Sequence, residues 1–61
     1  KSVKGLRRHL AATQSELAEE IGVRQQTVSE WETGQYTPRG ASEKLLNMVA
    51  ERGGFAYRAG P

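Results

Sequence analysis

The sequence predicts an all-α domain of four short helices followed by a short aromatic tail, and three observations carry that prediction. Apolar residues recur at helical spacing in four separate stretches. Glycine closes three of them, at Gly22, Gly34 and Gly53-Gly54. The central pair is also introduced by a capping signature, Thr13-x-x-Glu16, in which the threonine oxygen accepts a backbone N–H and the glutamate reaches back. With 61 residues the chain has room for one domain and one small core. The domain is expected over residues 1–54 and the tail over 55–61.

The first stretch, Val3 to Leu10, puts Val3, Leu6 and Leu10 on one arc and Lys4 and Arg8 opposite. Ser2 is the expected N-cap, and Gly5 weakens the helix by about 1 kcal/mol relative to alanine. Arg7 lies beside Leu6 and Leu10, where a lone guanidinium is costly, so it either pairs or snorkels to water. Glu32, next to Val28 on a later helix, is the carboxylate placed to form a bidentate pair with it.

The second helix begins at Gln14 and turns Leu17, Ala18 and Ile21 inward, with Ser15, Glu16, Glu19 and Glu20 outward. Gly22 ends it, because the chain leaves the helix there with a positive φ that costs a residue with a Cβ roughly 1 kcal/mol or more. After Val23 a third amphipathic stretch turns Val28 and Trp31 inward and Gln26, Ser29, Glu30 and Thr33 outward, and stops at Gly34. Two short helices joined by a tight glycine turn and sharing one apolar seam form a helix-turn-helix. The segment from Gln35 to Gly40 reads as a loop with Arg39 exposed. The fourth helix, from about Ala41 to Arg52, is expected to turn Leu45, Leu46, Met48 and Val49 inward and Glu43, Lys44, Asn47 and Glu51 outward. Beyond Gly53-Gly54, Phe55 and Tyr57 alternate with small or polar residues, which fits a short strand, a loop packing two rings on the core, or a contact with a partner.

These residues resemble the Cro/repressor-type, or xenobiotic-response-element, helix-turn-helix family. Ala18 stands where the two motif helices cross, Gly22 stands in the turn, and Leu17, Ile21, Val28 and Trp31 stand at core positions. The runs TQSELAEEIG and QQTVSEWETG are similar to phage repressor sequence, and the likeness covers roughly Val3 to Arg52. It implies a lambda-repressor-like fold and a transcriptional regulator, expected to be a repressor, that reads double-stranded DNA. It also implies that Gln25 and Gln26 read bases, that Gln14 binds a phosphate and buttresses Gln25, and that Arg7 and Glu32 pair.

Position on the motif extends that list. The N-terminal residues of the second motif helix are the ones such a motif offers to base edges, and a glutamine amide matches N7 and N6–H₂ of adenine and can also donate to guanine. Gln25, Gln26 and Ser29 are therefore the base-contact candidates. Gln14, Arg24, Thr27, Gln35, Tyr36 and Arg39 are the candidates for phosphate contact and positioning. One domain of this size makes few contacts, so a homodimer on a pseudo-palindromic operator is expected, with half-sites about one helical turn, ~34 Å, apart. Glu30 on the outer arc would repel phosphate. It keeps open a second reading, a protein-interaction module such as an antitoxin or coactivator domain on the same fold.

Composition bears on the other function classes. Nine Lys and Arg against seven Glu leave a net charge of only +2, so distribution rather than net charge must carry any argument for a nucleic-acid partner. There is no cysteine and no aspartate, and the single histidine, His9, falls on an outward arc where a solvated role is expected. Four serines have no base at a motif spacing, and no metal-ligand spacing or phosphate loop occurs. No catalysis, cofactor or metal is expected. No apolar run is long enough to span a bilayer and no signal pattern opens the chain, so a soluble cytoplasmic protein without a membrane partner is expected.

Overall fold

The first two helices begin where a side chain satisfies the backbone. The computed structural model describes residues 2–55, and its helices are α1 (Val3–His9), α2 (Gln14–Ile21), α3 (Gln25–Glu32) and α4 (Ala41–Arg52). The Ser2 hydroxyl accepts the Gly5 N–H at 3.0 Å to open α1. Thr13 Oγ1 accepts the Glu16 N–H at 3.1 Å while the Thr13 N–H donates to Glu16 Oε1 at 2.8 Å, the reciprocal box that opens α2. No side chain caps α3 or α4, whose N-caps are Arg24 and Gly40.

The turn between α2 and α3 depends on Gly22, at φ 88°, whose N–H and that of Val23 both donate to the Ala18 carbonyl, at 2.8 and 2.9 Å. The same kind of closure ends α1, with a different residue in the strained position. The Ala11 N–H donates to Arg8 O and the Ala12 N–H to Arg7 O, which places Ala11 at φ 55°. A left-handed conformation costs an alanine about 1 to 2 kcal/mol, partly offset by the lower entropy of its unfolded chain. Ala11→Gly is therefore expected to raise stability by about 0.5 kcal/mol in a urea melt. Unchanged or lowered stability would show that the position bears no strain.

The core takes one fully buried large side chain from every helix: Leu6, Leu17, Val28 and Leu46. Val3, Ala18, Ile21, Val49 and Ala50 complete it, and Leu10, Val23, Trp31 and Phe55 cover its edges. The inner face of α4 differs from the sequence expectation. Leu45 is 37% exposed and Met48 54% exposed, whereas Ala50 is only 1% exposed. A single helix packed on a small core buries one stripe, here Leu46, Val49 and Ala50. At about 100° per residue Leu45 lies roughly 40° from Val49, at the rim of the stripe, and Met48 roughly 100° from Val49, beyond it. Trp31, expected in the core, packs against it while keeping one side in solvent.

The end of α4 returns to α1. The Phe55 N–H donates to Ala50 O at 2.9 Å, and the Phe55 ring packs against the core. A Cβ on Gly5 would meet Ser2 Oγ at 3.2 Å and Phe55 Cζ at 3.4 Å, so this glycine permits a close approach as well as weakening its helix. His9, expected to be solvated, is exposed but engaged. Its Nε2 lies 2.8 Å from Gly53 O, and its ring sits 5.0 Å from that of Phe55 at a 35° tilt. Of the readings open for the tail, Phe55 follows the one in which a ring packs on the core. Tyr57 lies outside the described residues.

Candidate nucleic-acid interface

Arg7 and Glu32 supply the fixed point of the site. Arg7 Nε donates to Glu32 Oε2 at 2.6 Å and Nη2 to Oε1 at 3.2 Å, while Nη1 holds the Ala12 carbonyl at 3.2 Å. The carboxylate side chain is 6% exposed and the arginine 19%, so the pair is largely desolvated rather than snorkelled. The hydrogen bond from Arg7 holds the Glu32 carboxyl below the usual carboxylate range. Burial opposes it, and Gln14 and the charges of Arg7 and Lys4 assist. One guanidinium thus ties α1 to α3 and clamps the turn that leads into the Thr13 cap.

From that pair a chain of hydrogen bonds runs outward. Gln14 Nε2 donates to Glu32 Oε1 at 3.0 Å, and Gln25 Nε2 donates to Gln14 Oε1 at 3.0 Å. The first residues of both motif helices are thereby joined, and Gln25 stands exposed at the end of the chain. Gln26, also exposed, donates from Nε2 to Glu30 Oε2 at 3.4 Å. Arg24 is exposed and lies outside α3 as its N-cap, while Thr27 and Ser29 are half-buried on the helix.

The loop after α3 is held to the same helix. The Glu30 carbonyl accepts from Gln35 N at 3.0 Å, Tyr36 N at 3.3 Å and Thr33 Oγ1 at 3.2 Å. Gln35 and Tyr36 are thus anchored next to α3 with exposed side chains, Tyr36 strongly so. Arg39 is exposed one residue beyond Pro38, and that proline is buried. Two features escaped the sequence reading. The burial of Pro38 has no local signal beyond a turn residue, and the Gln14–Glu32 bond joins side chains of two helices that only packing brings together.

Of the acidic residues of α2, Glu19 lines a shallow hollow beside Gln25, and the other two face a different surface. Glu16 and Glu20 line an open groove of about 680 Å³ with Leu10, Leu17, Val49 and Arg52, and Arg52 Nη2 lies 3.6 Å from Glu20 Oε2. None of the base- or phosphate-contact candidates lines that groove. Among the described residues, no helix is long and apolar enough to cross a membrane.

A helix-turn-helix packed on two supporting helices, with the first turn of its second helix uncapped by side chains and lined by exposed amides, has the form that DNA-binding domains of this kind present to the major groove. A family model described as helix-turn-helix matches residues 3–42, and the chain belongs to this Cro/C1-type family of DNA-binding transcriptional regulators. No curated protein and no solved structure matches the chain.

Proposed function

We propose that this domain is a sequence-specific repressor that places α3 in the major groove of its operator as a homodimer. The observation that supports it most is the chain from Arg7 through Glu32 and Gln14 to Gln25. A flexible glutamine on a surface loses rotamer entropy when it binds, and one held by a path to the core has given up much of that freedom beforehand. In this reading Gln25, Gln26 and Ser29 meet base edges. Gln14, Arg24, Thr27, Gln35, Tyr36 and Arg39 bind phosphates on either side. Repression needs no more than occupancy of the operator.

The described residues extend 25 Å along their longest axis and carry one reading helix. Two half-sites ~34 Å apart therefore require two copies. The exposed Leu45 and Met48 suit the contact between them. Two copies of α4 laid antiparallel about a two-fold axis would set Leu45 against Met48 of the second copy and Lys44 near its Glu51, a self-complementary arrangement.

Glu30, which gave weight to a protein-interaction module, accepts from Gln26 through its side chain and holds the following loop through its carbonyl. Salt titration on duplex DNA separates the two readings. Each phosphate neutralised contributes a slope of about −0.9 in log K against log salt, and a module that binds only protein shows none. Arg39→Ala is expected to weaken binding to all duplexes alike and to make that slope shallower by about one unit. Selection from randomised duplexes should return a pseudo-palindrome, and a lone half-site would remove the dimer from the proposal. A flat salt response would leave the interaction module as the better account.

A further inference from the structure

Both exposed glutamines donate from their amide nitrogens along a path that ends on a carboxylate, the part-buried Glu32 for Gln25 and, on the helix surface, Glu30 for Gln26. An ionised carboxylate accepts hydrogen bonds and donates none. Arg7 keeps Glu32 ionised, so only the Nε2 end of Gln14 can face it, which leaves Gln14 Oε1 for the next residue. Gln25 must then donate to Gln14 with its own Nε2. Beside it, Glu30 receives Nε2 of Gln26.

Each exposed amide is left with one N–H and its carbonyl oxygen. Adenine offers the complement in the major groove, an acceptor at N7 and a donor at N6. Guanine offers acceptors at both N7 and O6 and asks for two donors. Were either carboxylate an amide, the path could reverse. The glutamine would then accept from the inside and present both of its N–H groups outward.

We propose that Glu32, acting through Gln14, and Glu30 are positioning residues that fix the polarity of Gln25 and Gln26, so that both select adenine over guanine. The inference rests on α3 being the base reader. It gives a role to Glu30, an acid on the outer arc whose carboxylate otherwise only opposes phosphate.

The test uses the full chain and randomised duplexes, followed by competition between the selected duplex and copies carrying guanine at one position. Gln25→Ala and Gln26→Ala identify the two base pairs, since each abolishes the preference at one of them. The wild type is expected to favour adenine over guanine at both by about tenfold or more. Glu30→Gln should bring the ratio at the Gln26 base pair to within about threefold and leave the other unchanged. Gln14→Met keeps the Arg7–Glu32 pair; loss of its phosphate contact weakens all duplexes alike, and the adenine-to-guanine ratio should change only at the Gln25 base pair. Guanine at either position in the wild type, or ratios unmoved in both variants, overturns the proposal.

Side-chain ¹⁵N relaxation reads the same device without DNA. The Gln26 amide is expected to be ordered in the free wild type and mobile in Glu30→Ala, with the exposed Gln35 amide as reference. A wild-type Gln26 amide as mobile as that of Gln35 defeats the proposal even if DNA binds. Ordered amides with no enrichment of any duplex defeat base reading by α3 instead, and the adenine preference with it, while the pinned polarity stands.

Discussion

Glu32→Ala is expected to lower the stability of this domain by about 3 kcal/mol in a denaturant titration, the low end of the range for removing one partner of a buried ion pair. The low end applies because Arg7 keeps 19% of its side chain in solvent and can turn part of its charge toward water. Arg7→Ala should cost more than Glu32→Ala. It strands the less exposed partner and also releases the Ala12 carbonyl that Nη1 holds. A loss below about 1 kcal/mol for Glu32→Ala would put the pair in the class of surface salt bridges. The pH dependence has a definite sign. The Glu32 carboxyl titrates lower in the folded chain than in the unfolded one, chiefly because of the Arg7 hydrogen bond. Its contribution is therefore complete above the unfolded carboxylate pKa of about 4.3 and is lost as pH falls through the folded value. Wild type and Glu32→Gln, melted side by side, should converge in stability as the solution is acidified through that window.

The same pair shows what a helical wheel can disclose. Arg7 stands beside Leu6 and Leu10 in a sequence of regular period, so its need for a partner is visible before any coordinates, and Glu32 is the carboxylate on the facing arc. The bounds of α2 are equally plain, because a reciprocal cap marks one end and a glycine the other. The buried face of α4 is not. Leu45-Leu46 and Met48-Val49 are apolar doublets, and two adjacent stripes satisfy the same periodicity. Packing on α1 to α3 selects Leu46, Val49 and Ala50. The turn after α1 was hidden for another reason. It has the hydrogen bonds of a glycine closure with Ala11 in the glycine's place, so the usual stop signal is absent from the sequence. His9 lies on an outward arc and is exposed, as the wheel says. Its bond to Gly53 depends on the return of the chain after α4, which no local pattern encodes.

Gln25→Ala is expected to cost about 1 to 3 kcal/mol on the selected operator and to change binding to random duplex little, because it removes a base contact and no charge. Phosphate contacts fail in the opposite manner, weakening all sequences together, so the two classes separate in one set of binding isotherms. The hydrogen bond between Gln25 Nε2 and Gln14 Oε1 adds a sharper requirement. If Gln14 acts on base reading by holding Gln25, then once Gln25 is gone its removal should cost only what its own phosphate contact contributes. The double variant Gln14→Ala, Gln25→Ala should thus lose less than the sum of the two single losses, by roughly 0.5 to 1 kcal/mol. Strict additivity would make the two side chains independent binders that merely touch in the free protein. Should Gln25→Ala and Gln26→Ala bind the selected operator as tightly as the wild type, α3 is not the reading helix, and the exposed amides at its start need another explanation.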